Sequence, residues 1–443
     1  MSEEAKLKKV LGLSDALSVA FGQTIGAGII VLTGIAAHMT GTGIVPGFGL
    51  AALAVLLSVV PMAVLGSMFP ATGGLYQYTS RLWGPKAGFY YLLLYIPSQI
   101  QIAIFALTFG EFFKSLVPEA STQVVGVGIL TLMYIANLLG VKVAANVLKF
   151  FLINLILALL LFVFYGLPKV HFEVFTISNM FANGSVSFLS AAALLSAATG
   201  GAVFVSELGG EMKNPKRDIP LAIILVTMSV GILYSAIGLV ASGVLPLSEV
   251  KGQLLSEVAQ VILPHPLFIY FIVGGALLSV AKMLLLAFTW GPKAILMGCI
   301  HGWLPKSLGV INGKFGTPHM LLTVLYVLAL IPIVFGISIE IIATLATALV
   351  SISFLFPITA AYRLPSMYPD SFKNSAFSLS PNVFKFLVIV AAIIVIGQAV
   401  FLLVSLKQSL VVGTAVYLIA ALLLAVVVPK REIEYFNEKR ESV

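Results

Sequence analysis

The chain of 443 residues is rich in hydrophobic side chains and poor in charge. Hydrophobic residues make up 60% of it and charged residues only 9%, whereas about a quarter of the residues in a soluble domain are charged. So few charged side chains cannot cover a folded surface in water, and lipid must therefore replace water around much of the protein. The composition excludes a wholly soluble protein.

The positive net charge does not indicate nucleic-acid binding. The chain has 25 Lys and Arg against 17 Asp and Glu, for a net charge of +8. These basic residues lie in short gaps between long apolar runs rather than in patches on a polar surface, and we expect no nucleic-acid partner. The single cysteine, Cys299, excludes a disulfide within the chain and a cysteine-based metal cluster. No metal site and no cofactor is predicted.

Apolar runs long enough to cross a membrane follow one another along the chain, since a spanning helix needs about 20 apolar residues. Twelve such runs contain no Asp, Glu, Lys or Arg, apart from Lys282 in the eighth: roughly 16–37, 44–69, 87–110, 122–140, 150–168, 184–206, 219–248, 266–292, 320–339, 341–362, 386–406 and 408–429. The alternation typical of membrane β-barrels does not occur, and helices then satisfy the backbone in lipid. The sequence predicts an all-α polytopic membrane protein of twelve helices.

The distribution of basic residues predicts the orientation of these helices. With the N-terminus inside, 20 of the 25 Lys and Arg fall on the cytoplasmic side, four fall outside, and Lys282 lies in the membrane. Both termini are then cytoplasmic, including a tail at 430–443, and the predicted location is the inner cell membrane. Residues 1–10 are charged and the first apolar run is long enough to span, so no cleavable signal peptide is predicted.

Glycines interrupt two of the apolar runs. The first run contains Gly26 and Gly28, and the sixth contains Gly200 and Gly201. Each glycine costs a helix interior about 1 kcal/mol relative to alanine, and one explanation is close packing of helices through small residues. The other is that both helices unwind around a ligand, because interruptions at matching places in two halves of a carrier indicate its binding site.

Four motifs resemble the amino acid–polyamine–organocation superfamily, and the resemblance covers nearly the whole chain. They are Ile25-Gly26-Ala27-Gly28-Ile29, then Phe69-Pro70-Ala71-Thr72-Gly73-Gly74-Leu75-Tyr76-Gln77-Tyr78, then Glu211-Met212-Lys213-Asn214-Pro215-Lys216-Arg217-Asp218-Ile219-Pro220, and Gly302-Trp303-Leu304-Pro305 followed by Gly316-Thr317-Pro318. The resemblance implies a single transmembrane domain, 1–429, with the five-plus-five inverted repeat of the leucine-transporter type. Repeat one covers about 11–168, repeat two about 184–362, and two extra helices about 386–429.

The resemblance also implies a function and a site. The function is secondary active transport of an amino acid or related amine by alternating access, either proton-coupled or exchanging. We expect it to be independent of Na⁺, because no sodium ligand set is evident and Lys282 would compete with Na⁺. Backbone amides of Ala27 and Gly28 would hold the carboxylate, and carbonyls of Thr24, Ala197 and Gly200 the ammonium. The full set of substrate-binding residues is Thr24, Ile25, Gly26, Ala27, Gly28, Ala197, Ala198, Thr199, Gly200 and Gly201.

The chain departs from the family pattern in three places. Ala197, Ala198 and Thr199 occupy positions where the family usually has an aromatic gate, which fits a bulkier substrate or a gate supplied by another helix. An apolar stretch around Val64 replaces an acidic residue. The family's span-five lysine has no clear match, since Lys149 lies nearer the cytoplasm and is expected to be an interface residue.

Lys282 is the only Asp, Glu, Lys or Arg within the twelve predicted spans. Placing a lysine at the centre of a membrane helix costs about 2.5–3.5 kcal/mol, so we expect either a functional residue or a side chain that snorkels to the inner interface. Its position matches that of a cation site in sodium-coupled relatives, which its ammonium would fill. Glu207 is interpreted as an ordinary interface acid or as a partner or proton relay for Lys282 or Lys293.

Two other classes of function are kept as alternatives. A membrane-embedded enzyme needs clustered ionisable or metal-binding groups within its spans, but the five histidines fall at span edges or in loops. A channel is expected to show a repeated filter sequence, whereas the two interrupted spans here differ. No nucleotide-binding Gly-x-x-x-x-Gly-Lys motif occurs. The identity of the substrate, the choice between symport and exchange, and the oligomeric state are left open.

Overall fold

The computed structural model describes residues 9–114, 116–246, 255–375, 379–404 and 408–429. The predicted cytoplasmic tail, 430–443, and the charged N-terminal residues 1–8 lie outside this part of the chain. Within it the protein is helical, with no strand beyond two isolated bridges, Leu11 with Met212 and Thr72 with Leu208. The all-α prediction is confirmed.

The helices follow one another with short connections. The α-helices are α1 (Leu13–Thr24), α2 (Ala27–Thr40), α3 (Ile44–Met68), α4 (Gly74–Trp83), α5 (Pro85–Ser98), α6 (Gln101–Lys114), α7 (Thr122–Leu138), α8 (Val141–Gly166), α9 (Ile177–Met180), α10 (Gly184–Thr199), α11 (Pro215–Gly243), α12 (Leu255–Ile262), α13 (His265–Tyr270), α14 (Leu278–Ile300), α15 (His319–Val334), α16 (Ile339–Ala361), α17 (Leu364–Met367), α18 (Pro369–Lys373), α19 (Pro381–Val404) and α20 (Gln408–Val427). A 3₁₀-helix, Gly200–Glu207, continues α10, and a π-helical stretch, Phe271–Leu277, joins α13 to α14.

Eight helical stretches of the described chain are long and apolar enough to cross a membrane, and three shorter apolar helices accompany them. The protein is therefore a multi-pass membrane protein. The most buried of these stretches, His265–Ile300, runs through the centre of the bundle. The exact count of twelve spans and the inverted repeat stay predictions.

One face of α8 shows how lipid takes the place of water. Its large apolar side chains at Phe150, Ile153, Leu157, Leu160 and Phe164 are between 48% and 73% exposed. They recur every three or four residues, so they form one stripe along the helix. A stripe of this length would be an aggregation site in water, whereas in a bilayer it is an ordinary lipid-facing surface.

One end of the bundle is closed by contacts between the sequence motifs. We call it the N-terminal face; it carries Leu11, the loop 69–75, the segment 206–213 and the loop after α14. Here Tyr76 Oη and His301 Nδ1 lie 2.7 Å apart, and the rings of Phe89 and Trp303 stack at 4.6 Å. The distribution of Lys and Arg predicts that this face is cytoplasmic.

Acid should loosen the N-terminal face through His301. Burial lowers the pKa of His301, which lies just outside the α14 span, from 6.5 to about 4. Because the folded-state pKa is depressed, the stability that its neutral ring contributes is complete above about pH 6.5 and is lost as pH falls through about 4. We expect the melting temperature of the detergent-solubilised protein to fall by several degrees over this range.

A His301→Gln variant is the control, since glutamine can still hydrogen-bond to Tyr76 and does not titrate. Its melting temperature should fall less between pH 6.5 and 4. Equal losses in both proteins would show that His301 is not responsible.

Candidate substrate and coupling site

Span one is interrupted at Ile25 and Gly26. The α1 helix ends at Thr24 and α2 begins at Ala27, while Ile25 and Gly26 have extended backbone angles. The break leaves the first amides of α2 without partners in their own helix. These amides carry the positive end of the helix dipole and are suited to an anion such as a carboxylate.

The carbonyl groups released on the other side of this break are already bound. The side chain of Tyr234, on α11, donates a hydrogen bond to the carbonyl of Thr24 at 3.1 Å. The ammonium of Lys282, on α14, donates to the carbonyl of Ile25. Span one is therefore held on both sides by its neighbours at the point where it unwinds. The Thr24 carbonyl, expected to bind substrate ammonium, has a protein partner here.

Span six changes its winding rather than becoming extended. The α10 helix continues through Ala197 and Ala198 to Thr199, and the chain then runs as a 3₁₀-helix from Gly200 to Glu207. At this junction 3₁₀ bonds take up part of the carbonyl groups at the end of α10, while the negative end of its dipole still lies there. The dipole of α10 therefore favours a positively charged group at this end.

Spans one and six touch at their glycines. A Cβ atom at Gly201 would overlap the Gln23 carbonyl, and a Cβ at Gly28 would lie 3.2 Å from the Cβ of Ala198. Gly200, in contrast, faces open space, with no described atom within 4 Å of its Cβ position. Gly201 thus serves close packing, while Gly200 leaves room beside the end of α10.

Lys282 is fully buried and no acid is paired with its amine in the described part of the chain. Its side chain has 0% exposure and points to Ile25. This geometry differs from that of a snorkelling lysine, whose ammonium reaches towards the end of its own helix.

Glu207 does not pair with either lysine that the sequence offered. Lys293 forms a buried salt bridge with Glu211 instead, at 2.6 Å. Glu207 Oε1 accepts a hydrogen bond from the amide of Leu75 at 3.2 Å, and Glu207 is fully buried. The acid therefore connects span six to the start of α4, where the loop that follows α3 ends.

An aromatic cluster forms between the 3₁₀ segment of span six and α14. The rings of Phe204 and Trp290 stack at 4.2 Å, and Phe204 also meets Phe354 edge-on at 5.6 Å. Trp290 Nε1 donates to Gln23 Oε1 at 3.0 Å. Sequence comparison along span six did not identify these residues, because Phe204 lies in the 3₁₀ segment and Trp290 comes from α14.

A second feature that the sequence did not reveal lies between α1 and α8. Lys149 and Asp15 form a salt bridge at 2.6 Å beside a cavity lined by both residues, Ser18 and Thr289. Asp15 also accepts from the amide of Gly12 at 2.9 Å, which fixes its position at the start of α1. Lys149, expected to be an interface residue, thus contacts span one.

Known proteins of similar sequence are amino acid carriers. A family model described as amino acid permease matches residues 11–428. A branched-chain amino acid permease of Bacillus subtilis is 28% identical over 355 residues, which cover 72% of this chain and 73% of that protein. A serine/threonine exchanger of the same organism is 26% identical over 314 residues, covering 68% and 67%. The Homo sapiens Asc-type amino acid transporter 1 is 28% identical over 344 residues, covering 72% and 64%.

The comparisons agree with the motifs and with the bundle. The match spans the interrupted helices, the loop at 69–75 and the segment before α11. The relatives are named as permeases, exchangers and transporters rather than as enzymes. This multi-pass membrane protein belongs to the amino acid permease family of transporters, as its resemblance to the amino acid–polyamine–organocation superfamily indicated.

Proposed function

We propose that the protein is a secondary active transporter of an amino acid or a related amine. The observation that carries this proposal is the break at Ile25–Gly26, which opens backbone amides in mid-span opposite the end of α10. Such groups are tolerable within a bilayer only where they line a cavity or bind a ligand. The named substrates of the relatives, branched-chain amino acids and serine or threonine, support the same class of substrate.

The substrate binds through its two charged groups. Its carboxylate accepts from the amides of Ala27 and Gly28, and its ammonium donates to carbonyl groups at the end of α10, from Ala197 to Gly200. The space beside Gly200 accommodates the side chain, and the Phe204–Trp290 stack takes the place of the aromatic gate.

The proposed architecture is the five-plus-five inverted repeat with two additional helices, twelve spans in all. Both termini lie in the cytoplasm and the protein resides in the inner cell membrane. The substrate site then becomes accessible from either side in turn, by alternating access. An enzyme and a channel are the other readings, and saturable counterflow separates a carrier from both.

Transport should depend on the close contact between Gly28 and Ala198. A valine at position 28 would intrude between spans one and six, because a Cβ there already lies 3.2 Å from the Cβ of Ala198. We expect a panel of amino acids and amines to reveal thermal stabilisation and saturable liposome counterflow for the wild-type protein. Gly28→Val should weaken substrate binding at least about tenfold, a loss of about 1.4 kcal/mol, and so lower both the thermal stabilisation and the counterflow.

The matched control is Gly49→Val, since Gly49 is exposed and its Cβ position has no described neighbour within 4 Å. It should transport as the wild type does. Wild-type counterflow in Gly28→Val would remove Gly28 from the site, and failure of the whole panel would contradict the proposed function.

Transport should not require Na⁺. The Lys282 ammonium is bonded to the Ile25 carbonyl oxygen, and its positive charge repels any other cation from this position. We expect the same initial uptake rate in liposomes when Na⁺ is replaced by K⁺ or choline. A strict Na⁺ requirement with stoichiometric Na⁺ flux would contradict this.

Lys282→Met should uncouple transport without unfolding the protein. Methionine fills the buried space but cannot bridge to Ile25, so the link between α14 and span one is lost. We expect retained substrate binding and exchange, together with loss of net uptake driven by an imposed pH gradient. Lys282→Arg, which stays charged, should also fail to couple.

The control is Lys169→Met, because Lys169 likewise donates to a backbone carbonyl, that of Ile262 at 2.8 Å. Its response to the pH gradient should equal that of the wild type. A Lys282→Met protein with wild-type coupling would show that Lys282 has only a structural role.

A further inference from the structure

The loop 69–75 is docked onto the inner end of span six through Glu207. The amide of Gly73 donates to the backbone carbonyl of Glu207 at 3.1 Å, and the amide of Leu75 donates to its carboxyl Oε1 at 3.2 Å. Thr72 and Leu208 form an isolated bridge beside these bonds. One residue thus holds the loop through both its main chain and its side chain.

Glycines let the two backbones come into direct contact. A Cβ atom at Gly74 would lie 2.5 Å from the Ser206 carbonyl, and a Cβ at Gly209 would lie 2.7 Å from the amide of Ala71. Gly73 has a φ of +65°, a conformation that other residues adopt only at a cost. The loop therefore meets span six largely through backbone, with the Glu207 carboxyl group bonded across the contact.

The Glu207 carboxyl group lies in surroundings that do not balance a negative charge. It is fully buried, and its Oε2 has no hydrogen-bond partner in the described part of the chain. The ionisable groups near enough to affect it are the hydroxyls of Tyr78 on α4 and of Tyr91 and Tyr95 on α5. The nearby pair Lys293 and Glu211 already balances itself.

A proton bound to the Glu207 carboxyl group would remove this uncompensated negative charge. A buried carboxylate with an unmatched oxygen costs several kcal/mol, whereas the neutral acid keeps Oε1 as acceptor for Leu75 and carries its proton on Oε2. The hydroxyl of Tyr78 is also buried without a hydrogen-bond partner in the part of the chain described. It lies 2.8 Å from the Cβ position of Gly74, within the same contact.

We propose that Glu207 is a proton-binding residue that closes the N-terminal face, holding the loop 69–75 in place when protonated and releasing it when ionised. The proton leaves to water on the cytoplasmic side as the loop lifts, and the carboxylate then becomes solvated. This inference rests on the proposed transport function and on the cytoplasmic assignment of this face. It assigns proton binding to a place separate from Lys282, which bonds to Ile25 in span one.

The direction in which pH shifts opening of the N-terminal face follows from the number of protons bound in the closed and open states. The closed face holds one proton more than the open face, so a lower pH favours closure and a higher pH favours opening. For one linked proton the ratio of open to closed molecules rises by at most about tenfold per pH unit. Glutamine at position 207 accepts from Leu75 as the neutral acid does but cannot ionise, so it should keep the face closed.

The test follows the accessibility of a thiol beneath the loop. In a Cys299→Ala background, Ser206→Cys places a thiol at a buried residue of nearly equal size whose carbonyl contacts Gly74. A membrane-impermeant maleimide is applied to the purified protein between pH 5.5 and 8. The labelling rate is divided by that of Lys216→Cys, an exposed position on the same face, to remove the intrinsic pH dependence of the thiol.

We expect the normalised labelling to rise several-fold with pH and to stay low and flat after Glu207→Gln. Flat labelling of the protein with Glu207 intact, or an equal rise in both proteins, would overturn the proposal. Infrared difference spectra of the wild-type protein after a pH jump provide a second measurement, which does not depend on the folding of a variant. A protonated-carboxyl band should be lost on opening, and its absence would likewise overturn the proposal.

Liposome uptake separates this inference from the proposed function. Glu207→Gln, which keeps the face mostly closed, should exchange the amino acid more slowly than the wild-type protein and lose its response to a pH gradient by at least about tenfold. Wild-type coupling in this variant would refute the role of Glu207 while leaving amino acid transport intact. Absence of transport by the wild-type protein would refute the proposed function, and the thiol measurement would still report on Glu207.

Discussion

An unwound helix in the middle of a membrane must find partners for its free backbone groups. Each buried amide or carbonyl without a partner costs on the order of several kcal/mol in lipid, so the break at Ile25–Gly26 persists only because other groups compensate for it. Tyr234 and Lys282 satisfy the two carbonyls from two neighbouring helices. The amides at the start of α2 have no partner within their own helix, and the proposed substrate carboxylate would complement the two protein contacts.

The sequence indicated where the backbone would break but not which residues would bond to the carbonyl groups that the break frees. Gly26 and Gly28 mark the interruption because glycine weakens a helix locally, and a local property can be inferred from local residues. The partners Tyr234 and Lys282 are more than 200 residues away in the chain. Lys282 was nevertheless singled out, because a lysine within an apolar run is costly wherever it points.

Contacts between two helices were harder to foresee than the helices themselves. Phe204 and Trp290 each lie in a hydrophobic run, where an aromatic residue is common. They stack only because the fold brings the two helical segments face to face. Glu207 and Glu211 are four residues apart in the sequence, so spacing alone could not show which of them forms the salt bridge with Lys293. The change from α to 3₁₀ winding at Gly200 alters the direction of every later side chain in span six, so helical spacing does not predict which acid meets Lys293.

The buried ionisable groups of the bundle therefore fall into two kinds. Lys293 and Glu211 form an ion pair at 2.6 Å, and removing one partner of such a buried pair costs about 3–5 kcal/mol, which suits a permanent joint. Lys282 and Glu207 each lie fully buried with no opposite charge bonded to them in the described residues. Both instead bond to backbone groups, at the break in span one and at the loop 69–75. A buried ionisable group bonded to backbone in this way links protonation to any motion of that backbone, because either the proton or the contact must change when the group meets water.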